Sequence, residues 1–466
     1  MIDCLTQYYR CPERYLRSSL RGPLSEPSGY FRFGERTLYG RYSGRHLPES
    51  PAASLPDALL ETTIQNGEVR LPFDFAAVID SLRYERYMKN GLDKRATVRT
   101  AINNSYYFIR PILPVGVRKY LQRLRLSGWE QIPFPTWPVD RSVDTLCEQL
   151  LLLSMRAAGL DQIPFIWFWP EGAPSCAIMT HDVETRLGRD FCPDMMDMDD
   201  SFGIKSSFQV VPEDRYEVPP SFLQNIKDRG FVLAVQDLNH DGRLFKDRCQ
   251  FVTRAQKINE YGRQWGAKGF RSAILYRRQE WFEALEFAYD MSVPNVAHLD
   301  PQHGGCCTVM PFFVGRILEL PVTTTQDYTL FNILNDYSLD LWKRQIDLIM
   351  ERHGLISFIV HPDYVTTPRE TAVYKALLGY LAQLRAERGV WMATSDEVNR
   401  WWRQRAEMIL VEDGDVVRIE GAGSERARLA YASEKNGRLV FSFPPASAST
   451  SDSSGMPLVE HSARRR

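Results

Sequence analysis

The chain has 466 residues, of which 44% are hydrophobic and 25% are charged, an ordinary balance for a globular protein of two or three domains. Its 57 Lys and Arg against 58 Asp and Glu give a formal net charge of −1, which excludes binding to nucleic acid by global charge. The apolar runs, such as Leu150–Leu153, are far shorter than the roughly 18 residues that cross a bilayer. The N-terminus lacks the apolar core of a secretory signal. We therefore expect a cytoplasmic protein without a transmembrane segment.

Residues 1–170 form a predicted N-terminal region of unknown function. Residues 1 to about 60 are rich in Pro, Gly, Ser and Arg and show little periodicity, which predicts an extended or loosely packed arm. After about residue 70 the pattern is mostly helical. Segment 80–128 has eleven basic and three acidic residues. It is either the solvated faces of amphipathic helices or a contact for an anionic surface, such as phospholipid headgroups, a phosphorylated lipid carrier or nucleic acid.

Residues 171–400 show short apolar runs that alternate with helical stretches. The candidate strands are Cys176–Thr180, Ser206–Val211, Phe231–Val235, Gly269–Leu275, Val293–Ala297, Ile317–Val322, Leu355–Val360 and Val390–Ala393. Strands separated by helices predict βα units and a parallel sheet. Eight strands in this length favour an α/β fold with a distorted (β/α) barrel. The alternative is an open doubly wound sheet, but no Gly-rich phosphate loop follows the first strand.

The C-terminal part divides into two predicted segments. Residues 401–445 contain apolar runs joined by Asn436–Gly437, a strong hairpin signal, and predict a small β appendage. Residues 446–466 are polar and rich in Ser, and we expect them to be disordered.

Ionisable and polar side chains collect at the ends of the candidate strands, where (β/α) barrels place their catalytic groups. They are Asp182 and Glu184 after the first strand, Gln236 and His240 after the third, Arg271 and Tyr276 in and after the fourth, Asp327 after the sixth, and His361 after the seventh. In a barrel these side chains converge on one mouth.

The order of these residues resembles the motifs of the polysaccharide deacetylases of carbohydrate esterase family 4. Thr180–Glu184 is similar to the Thr-Phe-Asp-Asp motif, with Asp182 at the position of the base and Glu184 one residue beyond that of the metal-binding Asp. Residues 236–240 are similar to His-Ser/Thr-x-x-His, with Gln236 in place of the first histidine and His240 as the second. Arg271 and His361 match the remaining motifs. The similar stretch covers roughly residues 173–400.

The resemblance implies a hydrolase that removes acetyl groups from an N- or O-acetylated sugar with a divalent metal, expected to be zinc. It implies Asp182 as general base, Arg271 as its partner and His361 as general acid. Glu184, Gln236 and His240 would be the metal ligands, and Tyr276 and Asp327 would contact the carbohydrate. Asp237, Asp241 or Asp327 could also replace the missing histidine.

Each assignment has a structural alternative. Asp182 could cap a helix, His240 could hold a turn, Arg271 could form a structural ion pair, and His361 could orient a loop with Asp363. His181 is expected to face away from the site. His298, Asp300 and His303 form either a second metal site or a plain loop. Because Gln236 is a poorer zinc ligand than imidazole, a carbohydrate-binding or scaffold protein with an impaired site is the second functional hypothesis.

Overall fold

The structure is a computed structural model, and it describes residues 4–91, 115–414 and 416–444. Residues 92–114 of the predicted basic segment and the predicted disordered tail 446–466 lie outside the described residues. Among the described helices, none has both the length and the apolar composition needed to cross a membrane.

The N-terminal region consists of short strands and helices around a shared aromatic core. Its helices are α1 (Cys4–Tyr9), α2 (Ala58–Glu61), α3 (Phe75–Arg83), α4 (Val115–Leu126) and α5 (Ser142–Ala158). Its strands are β1 (Ser18–Leu20), β2 (Gly29–Phe33), β3 (Arg36–Gly40), β4 (Thr63–Gln65), β5 (Glu68–Leu71) and β6 (Gln162–Ile166). The prediction of a loosely packed arm up to about residue 60 is wrong, because Tyr9, Phe31 and Phe33 are fully buried.

The central region is a parallel sheet surrounded by helices. Its strands are β7 (Cys176–Val183), β8 (Ser207–Val210), β9 (Val232–Gln236), β10 (Gly269–Arg271), β11 (Tyr289–Asp290), β12 (Phe312–Val314), β13 (Ile317–Glu319), β14 (Leu355–Ile359) and β15 (Trp391–Met392). Its helices are α6 (Arg186–Ser201), α7 (Pro220–Asp228), α8 (Arg248–Trp265), α9 (Asp340–Met350), α10 (Pro368–Arg388) and α11 (Ser395–Glu407).

The strand order of this sheet is β12-β13-β11-β10-β9-β8-β7-β14, and β15 also pairs with β7. The pairs are parallel except for β12 with β13. From β7 to β13 the parallel strands follow one another in chain order without the reversal of a doubly wound sheet. The predicted α/β class and distorted (β/α) barrel are therefore confirmed.

A threonine seam (Thr323 and Thr324) joins β13 to β14 where no ladder connects them. The Thr323 hydroxyl donates to the Leu355 carbonyl at 2.7 Å and accepts from the Ser357 N–H at 2.9 Å. The Thr324 hydroxyl donates to the Ser357 carbonyl at 2.8 Å. The Ser357 carbonyl also accepts the Thr324 backbone N–H at 3.3 Å. Side-chain hydroxyls thus help to satisfy the buried backbone groups of β14.

One predicted strand is misplaced. The run Val293–Ala297 forms no strand, and the pairing residues of this unit are Tyr289 and Asp290. Pro294 has no N–H to donate to a ladder, and it makes only an isolated bridge to Val322. The buried apolar run therefore continues the chain past β11 as a loop beside the barrel.

The C-terminal hairpins extend the fold on the side of the N-terminal region. Their strands are β16 (Ile409–Asp413), β17 (Val416–Glu420), β18 (Leu429–Lys435) and β19 (Arg438–Ser442). Asn436 and Gly437 join β18 to β19 with positive φ angles of 53° and 75°, as the hairpin signal predicted. Strand β18 also pairs with β6, so this hairpin and the N-terminal region share one sheet. The boundary predicted at residues 400 and 401 falls inside α11.

A buried ion pair ties the N-terminal region to the barrel. Arg277 donates through Nε to Glu85 Oε2 at 2.7 Å and through Nη2 to Glu85 Oε1 at 2.5 Å. Such bidentate geometry is specific for an arginine and a carboxylate. The barrel mouth and the N-terminal region are therefore held together by a directed contact as well as by apolar packing.

Candidate functional site

Asp182 and Arg271 form a buried pair inside the barrel. Residues alternate between the two faces of a strand, so Thr180 and Asp182 of β7 point inward. Arg271 Nη1 donates to Asp182 Oδ1 at 2.7 Å and to the Thr180 hydroxyl at 2.8 Å, while its Nε donates to the Met291 carbonyl. These contacts fix the orientation of the Asp182 carboxylate.

His181 lies on the opposite face of β7, as expected from its place at the Phe position of the motif. Its Nε2 lies 3.0 Å from Asp199 Oδ2 of α6, and its Nδ1 lies 3.0 Å from the Val360 carbonyl. All of these groups are buried. His181 therefore joins β7 to the end of β14 from outside the barrel and takes no direct part in the site.

One carboxylate oxygen of Glu184 lies close to nitrogen atoms of three neighbouring side chains. Its Oε1 accepts from His240 Nε2 at 2.8 Å and from Gln236 Nε2 at 3.1 Å, and it lies 3.5 Å from His361 Nε2. Burial would raise the pKa of Glu184, but the positive charges of His240 and His361 outweigh burial and hold the pKa well below its usual range. Glu184 is therefore ionised at the centre of the site.

His240 reaches Glu184 from the loop that follows β9. Its backbone φ is +55°, and that of Asp237 in the same loop is +51°. Positive φ is uncommon for residues other than glycine, and such backbone often occurs at functional sites. Burial would lower the pKa of His240, but the adjacent Glu184 carboxylate outweighs it and raises the pKa.

His361 follows β14 and is held by Asp327. The Asp327 carboxylate lies 2.7 Å from His361 Nδ1 through Oδ1 and accepts the His361 backbone N–H at 2.7 Å through Oδ2. Burial opposes protonation, but Asp327 and then Glu184 raise the pKa of His361 well above its ordinary value. With Nδ1 bound to Asp327, Nε2 is the atom that faces the site.

Asp327 has a different position from the one predicted. It is fully buried, and its Oδ1 also accepts the N–H of Tyr328 at 2.7 Å. A carboxylate with these contacts behind His361 has no face for a carbohydrate, so the predicted substrate contact is replaced by a role in orienting His361. The alternative pairing of His361 with Asp363 is not needed for that orientation.

Tyr276 lies beside the loop that carries His240. A Cβ atom built on Gly242 would lie 3.5 Å from the Tyr276 ring. The Tyr276 backbone N–H donates to the Ala273 carbonyl at 3.1 Å. Contact of the Tyr276 side chain with substrate stays a prediction.

Gln236 points its amide group at both carboxylates. Its Nε2 donates to Asp182 Oδ2 and to Glu184 Oε1, each at 3.1 Å. Its Oε1 is buried and has no hydrogen-bond partner. Because the two amide atoms are assigned from the hydrogen bonds around them, a cation near the carboxylates would favour the rotated amide, with Oε1 facing the site.

The donor set fits a divalent cation. Within the part of the chain that the structure describes, one group of potential ligand atoms lies within 4.8 Å of one another: Asp182, Glu184 and His361. Carboxylate oxygens and an imidazole nitrogen are suitable ligands for zinc. Of the predicted ligands, Glu184 belongs to this group, His240 contacts the group through Glu184, and Gln236 contacts it through both Asp182 and Glu184. The group also includes two residues predicted as base and acid.

The other predicted cluster does not form a metal site among the described residues. His298 Nε2 donates to the Pro135 carbonyl at 2.7 Å, and Asp300 accepts from Gln326. The site also has neighbours that were not among the predicted site residues. Thr180, the first residue of the motif stretch, accepts a hydrogen bond from Arg271, and the Tyr364 ring lies 4.8 Å from the His361 ring. Strand alternation alone would have placed Thr180 in the barrel interior beside Asp182.

The chain matches no protein-family model and no curated protein sequence. Among solved structures, it is similar to a Mycobacterium smegmatis protein assigned as a polysaccharide deacetylase, with 16% identity, a TM-score of 0.42 and coverage of 53% of this chain and 97% of that chain. It is also similar to Puue allantoinase, with 12% identity, a TM-score of 0.40 and coverage of 50% and 92%. A third is a family 4 acetyl xylan esterase from Clostridium thermocellum, solved with a cobalt ion, with 12% identity, a TM-score of 0.34 and coverage of 49% and 91%. Polysaccharide deacetylases are thus among the solved structures that the chain is similar to, as its motifs predicted.

Proposed function

We propose that the protein is a hydrolase that removes acetyl groups from an N- or O-acetylated carbohydrate, with the help of a divalent cation. The observation that carries this proposal is the convergence of Asp182, Glu184 and His361 at the ends of β7 and β14. Two carboxylates and an imidazole, each oriented by a buried partner, supply the proton transfers that amide and ester hydrolysis require.

The acid and base have separate partners. Asp182, fixed by Arg271, accepts a proton from the attacking water. His361, whose Nδ1 is bound to Asp327, donates a proton from Nε2 to the leaving nitrogen or oxygen.

Glu184, His240 and the rotated amide of Gln236 would hold the cation, so that Asp182 and His361 remain free to move protons. When bound, a divalent cation lowers the pKa of a coordinated water toward ~7 and polarises the acetyl oxygen. Arg271 holds the orientation of the Asp182 carboxylate beside it, and both side chains are buried.

A second candidate is a carbohydrate-binding or scaffold protein that does not turn over its ligand. The amide of Gln236, which here donates to both carboxylates, supports this candidate because an N–H group repels a cation. The two candidates differ in whether acetate is released.

The test is acetate release from N,N′-diacetylchitobiose and from acetylated xylo-oligosaccharides in the presence of zinc. We expect turnover by the natural protein and a loss of about 10²–10⁴-fold in Asp182→Asn and in His361→Ala. The matched controls are Asp197→Asn, an exposed carboxylate on α6, and His46→Ala, an exposed histidine, both of which should retain activity. Turnover that survives Asp182→Asn would contradict the proposed roles, and no turnover with sugar still bound would favour the second candidate.

A further inference from the structure

Helix α4 has one side on the barrel and the other in solvent. Arg123 Nε donates to the Asn332 carbonyl at 2.9 Å, and Arg125 Nη2 donates to the Pro301 carbonyl at 3.2 Å. Leu126, the last residue of the helix, is buried. These contacts attach α4 to loops of the barrel and fix which of its side chains face outward.

The outward side of α4 presents three apolar side chains in line. Val117, Tyr120 and Leu124 are spaced three and four residues apart, so they lie on one face of the helix. Their exposed fractions are 42%, 66% and 59%. Single exposed apolar residues are common on protein surfaces, whereas a contiguous apolar patch indicates a contact surface. We call these three residues the α4 stripe.

Basic residues dominate α4 and the segment that leads into it. The helix has four basic residues and no acidic residue, although the whole chain has a formal net charge of −1. Segment 92–114 has four basic residues and one acidic residue. A basic amphipathic helix is typical of proteins that bind the surface of membranes with anionic lipids.

The combination of an apolar stripe with excess positive charge favours lipid over other partners. Nucleic acid would contact the charges, but Val117 and Leu124 offer it neither hydrogen bonds nor a stacking surface. A second copy of α4, or segment 92–114 folded over the stripe, would bring like charges together. In a bilayer, the aliphatic side chains enter the boundary between headgroups and acyl chains. Tyr120 suits the same boundary, because its ring is apolar and its hydroxyl is polar.

The helix lies close to the candidate site. Gln122 of α4 accepts the hydroxyl hydrogen of Tyr328. The Tyr328 ring lies 5.3 Å from the Tyr364 ring, which lies 4.8 Å from the His361 ring. Two aromatic rings therefore connect α4 to the proposed general acid, and a surface that binds the α4 stripe would lie beside the barrel mouth.

We propose that the α4 stripe and the basic residues of segment 92–126 dock the protein on a bilayer that contains anionic phospholipids. The positive charges attract the headgroups, and the stripe gains from burial at the boundary with the acyl chains, so binding requires both. Docking brings the barrel mouth next to the bilayer surface, whether or not the site releases acetate.

The first test is sedimentation of the full chain with vesicles of phosphatidylcholine alone and of an equimolar mixture of phosphatidylcholine and phosphatidylglycerol. We expect binding to the mixed vesicles only. We also expect this binding to weaken about tenfold or more when NaCl is raised from about 0.05 M to about 0.5 M, because salt screens the attraction to the headgroups.

The second test removes the aliphatic side chains of the stripe without changing the charge. Val117→Gln/Leu124→Gln should weaken binding to the mixed vesicles by about tenfold or more. The matched control is Leu187→Gln/Val252→Gln, which changes the same residue types on α6 and α8, where they are 58% and 39% exposed. The control should change vesicle binding by less than about twofold. Thermal unfolding of each variant checks that it is folded.

Amide hydrogen exchange of the natural protein gives a test that needs no substitution. Mixed vesicles should slow exchange in α4 and leave exchange in α8 unchanged. This measurement decides the matter if the α4 variant does not fold, because protection that does not include α4 overturns the proposal.

The remaining outcomes are equally distinct. Binding to neither kind of vesicle, or to both equally, overturns the docking of α4 on anionic lipid. Unchanged vesicle binding in the α4 variant also overturns it, and a lower unfolding temperature would then show that protein covers the stripe. If a single-stranded oligonucleotide binds and the vesicles do not, the basic residues serve nucleic acid instead. Acetate release decides the proposed function separately, since none of these measurements depends on turnover.

Discussion

The acid–base half of the candidate site (Asp182, Arg271, Asp327 and His361) and the Glu184 half (Glu184, Gln236 and His240) lie at the same barrel mouth, yet their hydrogen bonds are distributed differently. In the acid–base half, each proposed proton carrier has its own buried partner, Arg271 or Asp327.

In the Glu184 half, one oxygen accepts from both Gln236 and His240, while the amide oxygen of Gln236 has no partner. Each half therefore contains one buried polar atom without a hydrogen-bond partner, Arg271 Nη2 in the acid–base half and Gln236 Oε1 in the Glu184 half. Only the second belongs to an amide that can rotate to present its other atom. In the proposed function, the proton carriers are thus oriented by charged partners, whereas cation binding depends on the orientation of the Gln236 amide.

The largest expected effect comes from removing the Asp327 carboxylate that holds His361. Asp327→Asn removes the charge that orients and protonates His361, so we expect kcat for acetate release to fall by about 10²–10⁴-fold while KM changes little. Steady-state kinetics with the best acetylated substrate measures both constants. If KM rises by a comparable factor and kcat is unchanged, Asp327 contacts the substrate, as first predicted from the sequence. The control is Asp336→Asn. Asp336 lies in a loop, where its carboxylate accepts the Ser338 N–H.

A smaller effect is expected in the Glu184 half. Gln236→His replaces a poor ligand with imidazole at the position where the family motif has histidine, and we expect zinc affinity to rise by about 10–100-fold. Competitive titration against a chromogenic chelator gives the Kd, with Gln224→His on the exposed surface of α7 as the control. An unchanged Kd would show that the Gln236 position does not face the cation, and it would make Asp182, Glu184 and His361 the ligand set.

The smallest expected effect is on stability and concerns His353, a buried histidine outside the site whose hydrogen-bond partner is the Pro174 carbonyl instead of a carboxylate. His353 lies among Trp167, Phe168 and Phe441, and burial lowers its pKa, with Arg352 adding to the effect against the Pro174 carbonyl. The unfolded chain therefore binds a proton more readily below pH ~6.5, and the free energy of unfolding should decrease as the pH falls from that value. The contribution is at most about 1.4 kcal/mol per pH unit.

Urea unfolding of the natural protein and of His353→Asn at pH 7.5, 6.5 and 5.5 measures this difference. Asn tolerates the positive φ of residue 353. We expect the natural protein to lose stability more steeply than the variant below pH 6.5. Parallel curves for the two proteins would show that His353 is protonated in the fold despite its burial.

The sequence predicted the barrel strands and the site best where an apolar run is followed directly by ionisable residues. The strands that carry or precede Asp182, Gln236 and His361 are found within about three residues of their predicted bounds, because buried parallel strands are continuous apolar runs. The strand that carries Arg271 was predicted to extend to Leu275, but it ends at Arg271 and a helical turn follows it. The order of the motif residues along the chain then places them at one mouth, since parallel strands have their carboxyl ends on the same side.

The failures have specific physical causes. In the first 60 residues, the turn-forming Gly and Pro conceal strands whose inward aromatic residues, such as Phe31 and Phe33, are fully buried and pack against the ring of Phe73, about 40 residues further along the chain. Asp327 was assigned to substrate because sequence order gives its strand but not which neighbour its carboxylate contacts. The direction of the Gln236 amide likewise depends on two carboxylates that only the fold brings together.

The threonine seam gives the barrel one junction of a different mechanical kind. Elsewhere adjacent strands are joined by backbone ladders, but between β13 and β14 the hydroxyls of Thr323 and Thr324 make the connection. Among the described residues, the only backbone hydrogen bond between these two threonines and β14 is that of the Thr324 N–H to the Ser357 carbonyl at 3.3 Å, so we expect local opening to be easiest along this line. Asp327 lies on one side of it and His361 on the other, which makes the proposed general acid the group most sensitive to breathing of the barrel. Amide hydrogen exchange at Ser357, whose N–H donates to Thr323, would report that motion directly.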